Sequence, residues 1–102
     1  MTVPPSEASS DADVIASVLA GESNAFRFLV ERYQTRAHGL AMRVLRNEEA
    51  ARDAVQDAFV KAYSNLGKFE GRSSFYTWFY RLVMNQCLDA KRRDKGDRQV
   101  EY

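Results

Sequence analysis

Between Phe26 and Leu66 the chain carries two apolar stripes with very little sequence between them, and this pairing restricts the fold more than any other feature. In the first, Phe26, Leu29, Val30, Tyr33, Ala37, Leu40, Ala41 and Val44 recur every three or four residues. In the second, Ala51, Ala54, Val55, Ala58, Phe59, Ala62, Tyr63 and Leu66 do the same. Such spacing predicts two amphipathic helices, each with one buried face. Ser23 is the expected cap of the first helix. Asn47 is the expected cap of the second, with Glu48 and Glu49 in the first turn where the backbone dipole favours acids, and Gly67 its expected stop. A turn this short implies an antiparallel hairpin, and the many alanines imply that its helices approach closely. Gly39 weakens the first helix locally by about 1 kcal/mol, with no cap nearby to predict a break.

Shorter signals flank the hairpin. Ser10 and Asp13 fit a capping box, Val14, Ile15, Val18 and Leu19 form an apolar stripe, and Gly21 is suited to the left-handed conformation that ends a helix. Residues 1–10, with Pro4, Pro5 and several hydroxyl side chains, are expected to be a flexible N-terminal tail. Beyond Gly67, the stretch KFEGRSS reads as a loop, and Ser73 or Ser74 as the start of a fourth helix. On that helix Phe75, Phe79, Leu82, Val83, Gln86 and Ala90 share one face, with Trp78 at its edge. Arg81, Asn85 and Arg92 fall on the solvent side of Trp78, and Tyr76, Tyr80 and Met84 on the other flank. After Lys95 and Gly96 the polar DRQVEY reads as a frayed end or the start of a linker. The expected fold is therefore all-α, a compact bundle of about four helices over 11–95: a short N-terminal helix, a long antiparallel hairpin and a fourth helix.

At 102 residues there is chain for one modest core. The N-terminus has neither the basic start nor the apolar run of a signal peptide, and no segment approaches the length needed to span a bilayer, so a cytoplasmic location is expected. One cysteine, Cys87, excludes an internal disulfide. With one histidine, His38, a structural zinc is not expected, nor is any other cofactor. No phosphate-binding glycine loop, HExxH or convincing nucleophile and base pair is present, which argues against an enzyme. The net charge of +1 conceals an asymmetry: residues 1–66 hold seven Lys and Arg against nine Asp and Glu, and residues 67–102 hold eight against five. An acidic first part suits a protein surface and a basic second part a polyanion.

Six of the twelve aromatic residues, Phe69, Phe75, Tyr76, Trp78, Phe79 and Tyr80, fall within twelve positions just before Lys91, Arg92 and Arg93. Aromatic faces stack on unpaired bases at about 1–3 kcal/mol each, and adjacent cations neutralise phosphates. Phe75, Phe79 and Trp78 are expected to pack the core; the remaining rings and cations are candidates for nucleic acid.

The segments GESNAFRFLVERY (21–33), EEAARDAVQDAFVKAY (48–63) and KFEGRSSFYTWFYRLVMNQCLDAKRR (68–93) together resemble the second conserved region of bacterial sigma factors of the extracytoplasmic-function group, the promoter-recognition subunits of RNA polymerase. The resemblance covers about residues 11–95. Family members look like two helical domains on a linker, and the second, with its helix-turn-helix, has no counterpart here. The charged, polar end favours an excised N-terminal piece over a stand-alone form.

The resemblance implies that the third helix docks on the clamp helices of the polymerase's largest subunit. Asp53, Gln56, Asp57 and Val60, at i, i+3, i+4 and i+7, offer a matching stripe opposite the alanine face. It also implies that the loop at 67–74 accepts a base flipped out of the non-template strand of the minus-ten element. There Arg72 supplies a charged donor, Ser73 and Ser74 small hydroxyls, and Phe69 a ring to close the pocket, while one serine also caps the helix. Tyr80, Arg81 and Asn85, and less directly Tyr76, match positions that look like DNA contacts, and Asn and Arg present the donor and acceptor groups that base edges and phosphates require. Lys91 and Arg92 are expected to meet phosphates without reading sequence. An anti-sigma partner that covers these surfaces is also implied. The competing reading is a helical protein-interaction module with no strand preference.

Overall fold

The corner between the two long helices sets the architecture. In the computed structural model, which describes residues 4–100 and for 95–100 the backbone alone, α2 (Phe26–Leu45) and α3 (Glu48–Ser64) are separated by only Arg46 and Asn47. Arg46 takes a left-handed conformation (φ 53°, ψ 31°) and donates its N–H to the Met42 carbonyl at 2.8 Å. Asn47 then caps α3, its Oδ1 accepting from the Ala50 N–H at 2.8 Å. The chain reverses, and Phe26 at the start of α2 meets Tyr63 near the end of α3 edge to face, with ring centres 5.3 Å apart. Ala37, Ala41, Ala51, Ala54, Ala58 and Ala62 are all buried, so the small residues of both hairpin helices lie in the core.

The other two helices close the bundle. α1 (Asp11–Leu19) inserts Val14 and Ile15, and α4 (Phe75–Val100) inserts Phe75, Phe79, Val83, Gln86 and Cys87. Phe79, fully buried, stacks on Phe59 of α3 at 4.4 Å and lies nearly parallel to Phe75 at 5.7 Å. Truncating such a core ring costs about 3–5 kcal/mol. Tyr33 of α2 contacts Phe75 and Tyr76 near the start of α4, and at the far end Leu45 and Arg46 line one cleft with Asp94. α4 therefore runs parallel to α2 and antiparallel to α3. Among the described residues there is no strand, and no helix is long and apolar enough to cross a membrane. The expected all-α bundle of four helices is what forms.

Four local expectations meet a different arrangement or a sharper one. Ser23 does not cap α2. It opens a single 3-10 turn, Ser23–Ala25, whose carbonyls receive the Phe26 N–H, so the first donors of α2 need no side chain. Gly67 does not stop α3, which ends at Ser64: Asn65 leaves the helical conformation (φ −109°, ψ 12°), and its Nδ2 adds a second bond, 2.9 Å, to the Lys61 carbonyl that its own N–H already reaches. Gly21 does adopt a positive φ (113°) and closes α1 in a Schellman pattern, with Glu22 N–H bonded to Ser17 O and Gly21 N–H to Val18 O. Gly39 leaves α2 unbroken.

The ends differ too. Within the stretch expected to be a flexible tail, residues 6–9 form a turn in which Ser9 N–H donates to Ser6 O. Arg32 holds that turn, donating to the carbonyls of Ser9, Glu7 and Ser6 and to the Asp11 carboxylate at 2.8 Å. One guanidinium satisfies several carbonyls at once, which composition does not reveal. Residues 1–3 lie outside the described residues. At the other end the backbone of α4 stays helical past Gly96 to Val100, and 101–102 lie outside the described residues.

Candidate nucleic-acid interface

Leu66–Lys68 forms a 3-10 turn after α3, and the chain then extends through Phe69 to the bend that introduces α4. Gly71 sits at φ +75°, a conformation that costs a residue with a Cβ about 1–2 kcal/mol. Across this bend Arg72 pairs with Glu70 at 3.1 Å, and the Arg72 side chain is 87% exposed. Ser74 Oγ accepts the Thr77 N–H at 3.1 Å and lies 2.9 Å from the Thr77 hydroxyl, which makes Ser74 the cap of α4. Ser73 donates only a long bond, 3.3 Å, to the Ser74 carbonyl. The two serines thus divide the roles left open between them: Ser74 caps, and Ser73 keeps accepting capacity toward solvent. The loop delivers an arginine, a hydroxyl and the positive end of a long helix to one exposed place.

Phe69 is half-buried. Its ring meets Trp78 at 5.2 Å and Phe75 edge to face at 6.1 Å, which ties the loop to the core. Trp78 is likewise half-buried and packed against the core, as expected. Along α4 the candidates divide. Arg81 and Asn85 are exposed, and among the described residues neither side chain makes a hydrogen bond or ion pair. Tyr80 is 41% exposed. Lys91 and Arg92 are exposed as well, although Arg92 lies 3.3 Å from Asp89 one turn before it.

Tyr76 is placed differently from its neighbours. Its ring stacks on Tyr33 at 5.4 Å, the Arg36 guanidinium lies 5.0 Å from its centre, and Tyr80 meets it edge to face at 6.3 Å. It braces α4 against α2 more than it faces solvent. Behind it, Tyr33 donates its hydroxyl proton to the Asp11 carboxylate; burial, then that bond and the carboxylate's charge, push the phenol from 10.0 up to about 12. The buried Cys87 thiol is also pushed up, by burial.

Asp53, Gln56, Asp57 and Val60 are all exposed on α3, Val60 by 60%. Asp57 and Val60 line an open cleft of about 530 Å³ with Gln86, Asp89, Arg92 and Arg93 of α4. The α3 stripe and the basic stretch of α4 therefore adjoin each other across this cleft. Arg36 was not singled out by the sequence. Its i, i+3 spacing from Tyr33 was the available signal, and it could not say which helix the pair would face.

The sequence model of Sigma-70 region 2 matches residues 29–96. Among curated proteins, the RNA polymerase sigma-H factor of Pseudomonas aeruginosa is 43% identical over 93 residues, covering 88% of this chain and 48% of that protein. The ECF RNA polymerase sigma factor SigM of Mycobacterium tuberculosis is 40% identical over 87 residues, covering 85% of this chain and 44% of that one. The chain thus spans about half the length of the curated relatives it matches. Among solved structures, an engineered region 2 of sigmaE, determined by NMR in complex with GTAAAA, is similar with a TM-score of 0.79 at 34% identity, over 92% of this chain and 97% of that one.

Proposed function

Because the chain belongs to the Sigma-70 region 2 family, among the extracytoplasmic-function sigma factors, we propose that it is the promoter-recognition part of a sigma factor, holding the minus-ten element as a single strand while docked on core RNA polymerase. The observation that carries this reading is the likeness to a region 2 solved with GTAAAA. The exposed loop before α4 and the open side chains of Tyr80, Arg81 and Asn85 support it from the surface. In this reading Phe69, Arg72, Ser73 and the Ser74-capped helix start receive a base flipped from the non-template strand. Tyr80 stacks, Arg81 and Asn85 address base edges and phosphate, Tyr76 supports them from behind, and Lys91 and Arg92 meet phosphates. The stripe Asp53, Gln56, Asp57 and Val60 docks on the clamp helices of the largest subunit, and an anti-sigma factor covers the same faces in the inactive state. The site of action is the cytoplasm, where the polymerase works.

The energetics agree with a limited task. Opening a base-pair step costs about 1.4 kcal/mol in stacking, and capturing one base on a ring returns about 1–3 kcal/mol. One or two captures hold a short bubble open without creating a long one. The test is selection of the 102-residue chain on a randomised single-stranded hexamer library, followed by anisotropy on the selected strand and a permuted one. Enrichment of a defined hexamer, with affinity that falls steeply as salt rises, is the expected result. Binding to core polymerase with no enrichment of any strand would instead favour the protein-interaction module.

A further inference from the structure

The cations flanking the candidate strand site are not all on α4. Arg36 lies on α2, exposed, with its guanidinium carbon 5.0 Å from the centre of the Tyr76 ring and 5.7 Å from that of Tyr33. Tyr76 in turn touches Tyr80, the exposed ring of the site. Among the described residues Arg36 makes no ion pair, whereas Arg72, Arg92 and Arg32 each hold a carboxylate. A guanidinium placed against rings keeps its in-plane N–H donors available to an anion, and phosphate accepts from that fork. Arg43, also exposed, follows seven residues later on the same side of α2, about 10.5 Å further along the axis. Because α2 and α4 run parallel, these two arginines follow the same direction as Tyr76, Tyr80 and Lys91 on the near flank of α4.

We propose that Arg36, and beyond it Arg43, bind the sugar–phosphate backbone of the single strand whose bases the loop and α4 hold, so that the strand is clasped between two helices. This rests on the strand-binding reading above. The occupant is a polyanion because the side chains offered are guanidinium groups that make no ion pair among the described residues, one of them set against the rings of Tyr33 and Tyr76 beside the exposed Tyr80. Being phosphate contacts, they act on every strand alike and leave sequence preference to Asn85 and the loop.

The test is anisotropy with fluorescein-labelled single strands, one carrying GTAAAA and one a permuted sequence, across a salt series, for the 102-residue chain and for Arg36→Gln, Arg43→Gln and Asn85→Ala. Arg36→Gln is expected to weaken both strands by about fivefold at low salt and to flatten the logarithmic salt slope by about 1. Arg43→Gln acts in the same sense, and thermal melting reports whether either variant has lost its fold. Asn85→Ala serves as the contrast, reducing the difference between strands while keeping the slope. If the unsubstituted chain binds with a salt-dependent slope that a folded Arg36→Gln retains in full, the α2 contact is overturned and the strand-binding reading survives. The α2 contact is likewise overturned if Arg36→Gln impairs only core polymerase binding. If the unsubstituted chain shows no salt-dependent strand binding, both fall.

Discussion

Ser74 offers a way to separate the stability of α4 from its use. Its Oγ accepts the Thr77 N–H at 3.1 Å, directly before Phe75 and close to Phe79, so the cap holds the turn from which two core rings project. Replacing a capping serine by alanine costs about 1 kcal/mol, which for a domain of this size lowers Tm by about 4–8 °C. Ser74→Asp behaves oppositely in stability, because aspartate caps as well as serine and its charge complements the helix dipole. It also places a carboxylate where the strand is proposed to lie. At about 6 Å from a phosphate the repulsion ranges from about 0.7 kcal/mol in bulk water to about 2.8 kcal/mol at an effective dielectric of 20, or about 3- to 100-fold in affinity. Circular dichroism melts and single-strand anisotropy at two salt concentrations measure both. The expected pattern is Ser74→Ala less stable, Ser74→Asp fully stable yet deficient in strand binding, the deficit shrinking as salt rises. A stable Ser74→Asp that binds as tightly as the parent chain refutes the argument that this helix start faces nucleic acid.

Arg72→Ala and Asn85→Ala should each reduce strand affinity by about 5- to 160-fold, the range of a good base contact at about 1–3 kcal/mol. Both should lower Tm by only a few degrees, since Arg72 loses an exposed ion pair worth at most about 1 kcal/mol; anisotropy and melting on the same samples check this. Gly39→Ala should raise Tm by about 4–8 °C, because the position is helical and a Cβ there meets nothing within 4 Å. Stability should also fall in alkali. The Tyr33 phenol titrates near 12 when folded and near 10.0 when unfolded, so its contribution is intact below pH 10 and is lost as pH rises through 12. Tyr33→Phe should be less stable than the parent chain at neutral pH and lose less of its Tm between those limits.

What the sequence made legible was what periodicity encodes. The stripes from Phe26 to Leu66 have one solution when the turn between them is two residues long, and Asn47 and Gly21 act through their own chemistry, so hairpin, cap and Schellman turn could all be anticipated. Ser23 and Gly67 misled because each stands beside a competitor: a 3-10 turn already serves the start of α2, and Asn65 acts before Gly67 is reached. The binding of residues 6–9 by Arg32 was out of reach, since the donor lies more than twenty residues away and its partners are carbonyls, which every residue carries. The same holds for Arg36, whose position depends on how α2 rolls against α4.

The aromatic cluster carries a further consequence. Six rings within twelve positions suggest a broad stacking platform, yet Phe75 and Phe79 are buried, Trp78 and Phe69 pack against the core, and Tyr76 lies against Tyr33 and Arg36. Tyr80 is the ring left substantially open. Stacking by one ring contributes about 1–3 kcal/mol, which offsets about one or two base-pair steps at about 1.4 kcal/mol each. In the proposed reading such a surface holds a base that is already out of the duplex, and draws the remainder of its affinity from hydrogen bonds at the loop and from the cations proposed to contact phosphate. Its grip should therefore depend steeply on salt, and opening of the promoter on the enzyme to which the α3 stripe is proposed to dock.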